Sequence, residues 1–238
     1  MVLLAVDTCE ARGGVAVRKD GASVGMQVHS GDEDYSEWLL PAVDRALSEA
    51  GIGMRQVEVL AVATGPGSFT GLRVGLTTVK AWAEVYGAPV VGVSRMEAIA
   101  RQAGDDRRSV AVFCNAHRGQ LFGAVYRRDE DRMARVGDEV VISPESFLQS
   151  VSELAGDVPV TWVSPDPQMI TQLEGWQGRS IIGDVMQFRE PQLSSSIAEI
   201  AEERAARGEF SDPLLLDANY VRRSDAEIFW KGTSTGGH

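Results

Sequence analysis

The chain has 238 residues, 34 Asp and Glu against 23 Lys and Arg, and a formal net charge of −11, a surplus that repels a phosphate backbone and argues against nucleic-acid binding by the chain alone. Its 44% apolar residues suffice for one large domain or two small ones. Cys9 and Cys114 share no metal or redox spacing, the N-terminus lacks a basic leader, and no apolar run approaches ~20 residues, so a reduced, cytoplasmic protein without membrane attachment is expected.

The apolar run at 2–6 predicts a strand. Residues 14–18 and 23–28 follow as a hairpin, with Asp20-Gly21 supplying the positive φ of a tight turn. A helix is expected over 36–50, with Ser36 as cap and Leu39, Leu40, Val43, Ala46 and Leu47 at helical spacing. Then come a strand at 57–63, the glycine-rich turn "GPGSFTGLRVG" (65–75), a helix over 70–86, a strand at 90–93 and a helix over 95–102. The second half begins with strands at 110–115, 120–127 and 133–142. A helix over 144–154 follows, with Ser143 as cap and Pro144 at its first position. A strand at 160–163, a helix over 168–173, a strand at 180–182 and a helix over 194–207 complete the order. The tail GTSTGGH reads as frayed.

Both halves therefore read βββαβαβα, which predicts an α/β protein with two similar lobes, 1–104 and 105–210. Each would be a mixed sheet with flanking helices, and 211–238 would return across the lobes. This duplicated plan resembles the actin, Hsp70 and sugar-kinase superfamily, which binds ATP between its lobes. In detail the chain resembles the bacterial TsaB (YeaZ) family. The likeness rests on "LLAVDT" (3–8), "SEWLLPAVDRAL" (36–47), "ATGPGSFTGLRVGL" (63–76) and "GVSRMEAIA" (92–100), with weaker matches in "NAHRGQLFGAVY" (115–126) and "NYVRRSDAE" (219–227).

The resemblance implies a non-catalytic scaffold that pairs with a catalytic TsaD-like paralogue in forming threonylcarbamoyladenosine at position 37 of tRNA. A TsaE-like ATPase joins them, ATP and metal belong to those partners, and the chain itself requires no cofactor. A homodimer forms when TsaD is absent, and tRNA is met only through the complex. The competing readings are an ATPase or kinase with a degenerate phosphate loop and, less favoured, a metallopeptidase.

The residues bear on these readings directly. A P-loop needs Gly-Lys-Ser/Thr, but Gly71 is followed by Leu72-Arg73; a dinucleotide fingerprint needs a third glycine where Thr70 stands. Ser68 or Thr70 could cap the following helix and leave amides facing an anion, so Asp7, Thr8, Gly67, Ser68 and Thr70 are a possible vestigial nucleotide or anion site. The plainer reading makes the glycine turn structural and Asp7 an acceptor for loop amides. Glu10 would bring negative charge towards an anion with no evident cation to offset it. The second-lobe turn 115–119 lacks an acidic residue, and Ile182-Gly183-Asp184 is only a faint adenosine motif.

The three histidines, His29, His117 and His238, share no metal spacing, so no metal site is expected. TsaD-like relatives carry His-x-x-x-His where this chain has Arg95 and Ile99. His117 reads as a solvated turn residue, and the two cysteines as core. Arg222 and Arg223 are open between internal pairing with Asp225 or Glu227 and a tRNA or partner contact.

The helix after the glycine turn has two apolar stripes. Leu72, Leu76, Val79, Ala83 and Tyr86 suit its own sheet. Gly71, Val74, Gly75, Thr78, Trp82 and Val85 form a second, for the 36–50 helix or a subunit interface. The resemblance favours the interface, with the glycines admitting a partner's backbone.

Overall fold

A computed structural model describes residues 1–104, 108–129, 132–190, 192–219 and 221. Strands β1 (Val2–Asp7), β2 (Gly14–Lys19) and β3 (Ala22–Val28) form an antiparallel meander. Its tight turn holds Asp20 and Gly21 at φ of 50° and 84°. Helix α1 (Tyr35–Glu49) leads through a 3-10 turn to β4 (Val59–Ala63), helix α2 (Phe69–Tyr86), β5 (Val90–Val93) and α3 (Arg95–Arg101). The first sheet runs β3-β2-β1-β4-β5, with β1, β4 and β5 parallel. Residues 3–6 and 59–63 are buried throughout, as expected of strands covered on both faces.

The second half repeats the plan with β6 (Ser109–Asn115), β7 (Leu121–Asp129), β8 (Arg132–Ile142), α4 (Pro144–Ala155) and β9 (Thr161–Ser164). After these come α5 (Gln168–Thr171), α6 (Glu174–Ile181), β10 (Val185–Phe188) and α7 (Ser194–Ala206). The sheet order β10-β9-β6-β7-β8 is the first order read from the other end. Two local expectations need correction. The strand expected at 180–182 is the end of α6, and the strand lies later, at Val185–Phe188, paired parallel to β9. Ser36 is inside α1; Asp34 occupies the cap position without a side-chain bond. Ser143 caps α4 by accepting from the Ser146 amide.

The packing crosses the chain boundary between the halves. The closing helix of each half lies on the other half's sheet: α3 packs on β6, β7, β8 and β9, and α7 packs on β1, β2, β4 and β5. The two helices also touch each other, so one apolar core runs from the first sheet through α7 and α3 to Val110, Val112 and Cys114 of β6. The alternate β6 residues, Ala111 and Phe113, face a second core with Phe147 and Trp162. Residues 1–104 therefore do not make a self-contained packing unit.

Beyond α7, Ser211 and Asn219 bond to earlier parts of the chain. The Ser211 amide bonds Val90 O at 2.7 Å, the Asn219 amide bonds Thr64 O at 2.7 Å, and Asn219 Nδ2 donates to Glu139 Oε2 of β8 at 2.5 Å. Residues 222–238, with Arg222, Arg223, His238 and the tail, lie outside the described residues.

Candidate functional site

The glycine turn closes on the chain itself. Thr8 Oγ1 donates to Gly71 O at 2.7 Å, the Ser68 amide donates to Cys9 O at 2.7 Å, and Ser68 Oγ caps α2 by accepting from the Gly71 amide. A Cβ on Gly71 would strike Thr8 O, and one on Gly75 would strike Thr8 Oγ1. One on Gly67 would strike Cys9 O, all far inside an ordinary ~3.5–4.0 Å carbon contact. These glycines let α2 approach the end of β1. That runs against the expectation that Gly71 and Gly75 admit a partner's backbone: Gly71 admits the backbone of Thr8, and Gly75 its side chain. The remaining members of the stripe behave differently. Val74, Thr78 and Trp82 are half-buried, and Val85 is 73% exposed.

The same contacts bear on the vestigial anion site. Asp7 is buried, and its Oδ1 accepts from the Cys9 amide at 3.0 Å. Burial pushes its carboxyl above the usual range, opposed by the nearby Arg95. Asp7, Thr8 and Ser68 are tied to Cys9 and Gly71, with Gly67 packed against Cys9; Ser68 and Thr70 are exposed at the start of α2.

A cavity of about 380 Å³ lies between the lobes, at the C-terminal ends of β1, β6, β9 and β10. Ligands of open α/β sheets gather at such strand ends. Glu10, Arg12 and Arg95 line it from one half, and His117, Asp166 and Glu190 from the other. The wall at 10–13 is anchored by Tyr35, whose hydroxyl donates to Glu10 O and accepts from the Gly13 amide at 2.7 Å. His29, stacked on Tyr35 at 4.2 Å, holds Ala11 O at 2.7 Å.

Arg95, noted in the sequence only as the replacement of a TsaD-like histidine, lines this cavity. It is 2% exposed, and its Nη1 lies 3.2 Å from both Glu10 Oε1 and Cys114 Sγ. Glu10 thus has the cation that seemed missing, although burial still raises its carboxyl above the usual range. Burial pushes the Cys114 thiol up to about 11, so it is a neutral thiol at ordinary pH. His117 is exposed in the β6–β7 turn at φ 59°.

Asp184, the faint adenosine candidate, is instead a buried acceptor for Arg179, Trp162 and the Val160 amide. Among the described residues no three His, Cys, Asp or Glu side chains gather as a metal site. No helix is long and apolar enough to cross a membrane.

The family model described as TsaD, tRNA N6-adenosine threonylcarbamoyltransferase, matches residues 27–207. The chain belongs to this family, on its TsaB (YeaZ) branch. It is 26% identical to the tRNA threonylcarbamoyladenosine biosynthesis protein TsaB of Bacillus subtilis, over 97% of this chain and 98% of that protein. Its identity to the TsaB of Escherichia coli is 27%, over 92% and 96%. YeaZ from Pseudomonas aeruginosa shares the fold at a TM-score of 0.73 and 24% identity, over 92% of this chain and 99% of that one. In this TsaB-like chain the turn between β4 and α2 is the place where Thr8 meets Gly71.

Proposed function

We propose that the chain is a non-catalytic subunit in the formation of threonylcarbamoyladenosine at position 37 of tRNA, docking on and activating a TsaD-like catalytic paralogue. The observation that carries this reading is the closed glycine turn. Its Ser68 and Gly71 amides already have acceptors in Cys9 O and Ser68 Oγ, and the Thr8 carbonyl fills the space beside Gly71. A phosphate placed there would meet carbonyl oxygens and the Asp7 carboxylate, which repel it.

Support for docking comes from α2. One side of the helix is buried in its own lobe, while Val74, Thr78, Trp82 and Val85 leave an apolar stripe half open to solvent. An aromatic anchor ringed by aliphatic neighbours is the usual centre of a protein interface. On this reading the TsaD-like protein covers the stripe, a second copy of the chain covers it when TsaD is absent, and a TsaE-like ATPase joins the pair. ATP and metal are used by the partners, and tRNA is engaged through the complex because the net charge is −11.

Two measurements test this. Isothermal titration of the full chain with Mg-ATP is expected to show no saturable heat, and a stoichiometric micromolar isotherm would favour the ATPase or kinase reading. Val85→Arg is expected to weaken self-association and TsaD binding at least tenfold, with stability changed by only about 0.5 kcal/mol, since the residue is 73% exposed. Unchanged association would move the interface away from α2.

A further inference from the structure

Arg95 has more hydrogen-bonding capacity than the protein uses. Its guanidinium carries five N–H donors. Nη1 makes contacts of 3.2 Å to Glu10 Oε1 and to Cys114 Sγ, and the first is longer than the ~2.7–2.9 Å of a charge-assisted bond to oxygen. Nε is buried and meets no acceptor among the described residues, in a side chain that is 2% exposed. Leaving such a group short of acceptors is costly. The residue lines the interlobe cavity, and Glu10, which holds it, keeps 28% of its side chain exposed at the cavity wall.

The surrounding charges restrict what could complete the site. Arg12 and Glu190 face each other at 3.6 Å. Asp166 approaches Glu10 from the opposite lobe closely enough to disfavour its ionisation, while its Oδ2 accepts from the Asn115 amide at 2.9 Å. Asp7 lies buried near Arg95, and His117 lies near Glu10 on the open side. A simple anion that took the Nη1 edge would displace Glu10 and turn its carboxylate towards Asp166. A simple cation would leave Arg95 as it stands. A ligand with both charges would meet Nη1 with its anionic end and the released Glu10 with its cationic end.

We propose that the interlobe cavity binds a small zwitterion of amino-acid type. Its carboxylate takes the Arg95 guanidinium in place of Glu10, and its ammonium sits between the released Glu10 carboxylate and Asp166. Glu10 acts as a placeholder until the ligand arrives. No covalent step is involved, and the site is independent of the docking role of α2.

The test follows the Arg95 Nε–Hε resonance of the ¹⁵N-labelled full chain, assigned by its loss in Arg95→Lys, through separate titrations with glycine, acetate, methylamine and inorganic phosphate. Glycine is expected to move the resonance saturably in the millimolar range. Acetate should bind at least tenfold more weakly, and methylamine and phosphate should give no saturable shift. Glu10→Gln should reverse the order: it removes the ammonium's partner and the competing carboxylate together, so glycine weakens about tenfold and acetate tightens. Circular dichroism checks folding of both variants; if Arg95→Lys fails to fold, the Glu10→Gln titrations decide by themselves. Equal binding of glycine and acetate, tighter binding of phosphate, or no saturable response to glycine would overturn the proposal.

Discussion

Replacing Gly71 with Ala is expected to lower stability by about 2 kcal/mol, the opposite of what helix propensity alone predicts. Propensity favours Ala over Gly in a helix by about 1 kcal/mol. The new methyl group would strike the Thr8 carbonyl, which is backbone at the end of β1 and cannot swing aside. Thr8 is also tied to the same turn of α2 by its hydroxyl bond to Gly71 O. Overpacking of this kind costs about 1–3 kcal/mol, and a rigid obstacle places it at the upper end. For a chain of this size, a net loss of about 2 kcal/mol lowers the melting temperature by roughly 4–8 °C. Gly178→Ala in α6 is the internal control: nothing stands within 4 Å of its added Cβ, so this variant should gain up to about 1 kcal/mol. Thermal melts of the two variants with opposite signs support the close approach. A stabilised Gly71→Ala would show that the space beside α2 is open, and would restore the reading of Gly71 and Gly75 as a partner's seat.

Asp184→Ala should be the most damaging of the substitutions considered, at about 4 kcal/mol. Its carboxylate, fully buried, accepts from Arg179 Nε at 2.8 Å, Trp162 Nε1 at 2.7 Å and the Val160 amide at 2.9 Å. Without it, Arg179 becomes a buried cation lacking a counter-charge, and breaking such a pair costs about 3–5 kcal/mol. Urea denaturation measures the loss. The double variant Arg179→Met with Asp184→Leu should recover most of it, because the cost lies in the orphaned charge more than in the missing bonds. A loss below about 1 kcal/mol for Asp184→Ala would mean that water reaches the pair.

That network also explains where the sequence stopped being readable. β1, β4 and α2 were legible because a run of buried aliphatics or a sheet-facing stripe such as Leu72, Leu76, Val79 and Ala83 is a local signal. The region 174–188 carries no such signal. Gly175 and Gly178 weaken the helical pattern of α6, β10 is a four-residue edge strand, and both are positioned by the Arg179–Asp184 contact. The glycine stripe was visible as a small, close-packing face, but periodicity does not say which neighbour fills it. Thr8, the neighbour, is 63 residues away in sequence. Arg95 stood out in the sequence only as the residue where TsaD-like relatives carry a histidine; its partners Glu10 and Cys114 come from distant strand ends and could not be read from it. The exchange of α3 and α7 between the sheets was equally hidden, since two amphipathic helices read the same whichever sheet they cover.

The central claim, that this chain completes a catalytic partner and does not itself catalyse, is tested most directly by threonylcarbamoyl transfer to tRNA in a reconstituted system. The full chain alone is expected to give no modified tRNA, and the TsaD-like and TsaE-like proteins without it should give little. The three together should restore turnover, and Val85→Arg should lower that turnover at least tenfold at limiting chain concentration. Modified tRNA produced by the chain alone, or full turnover by the partners in its absence, would contradict the account.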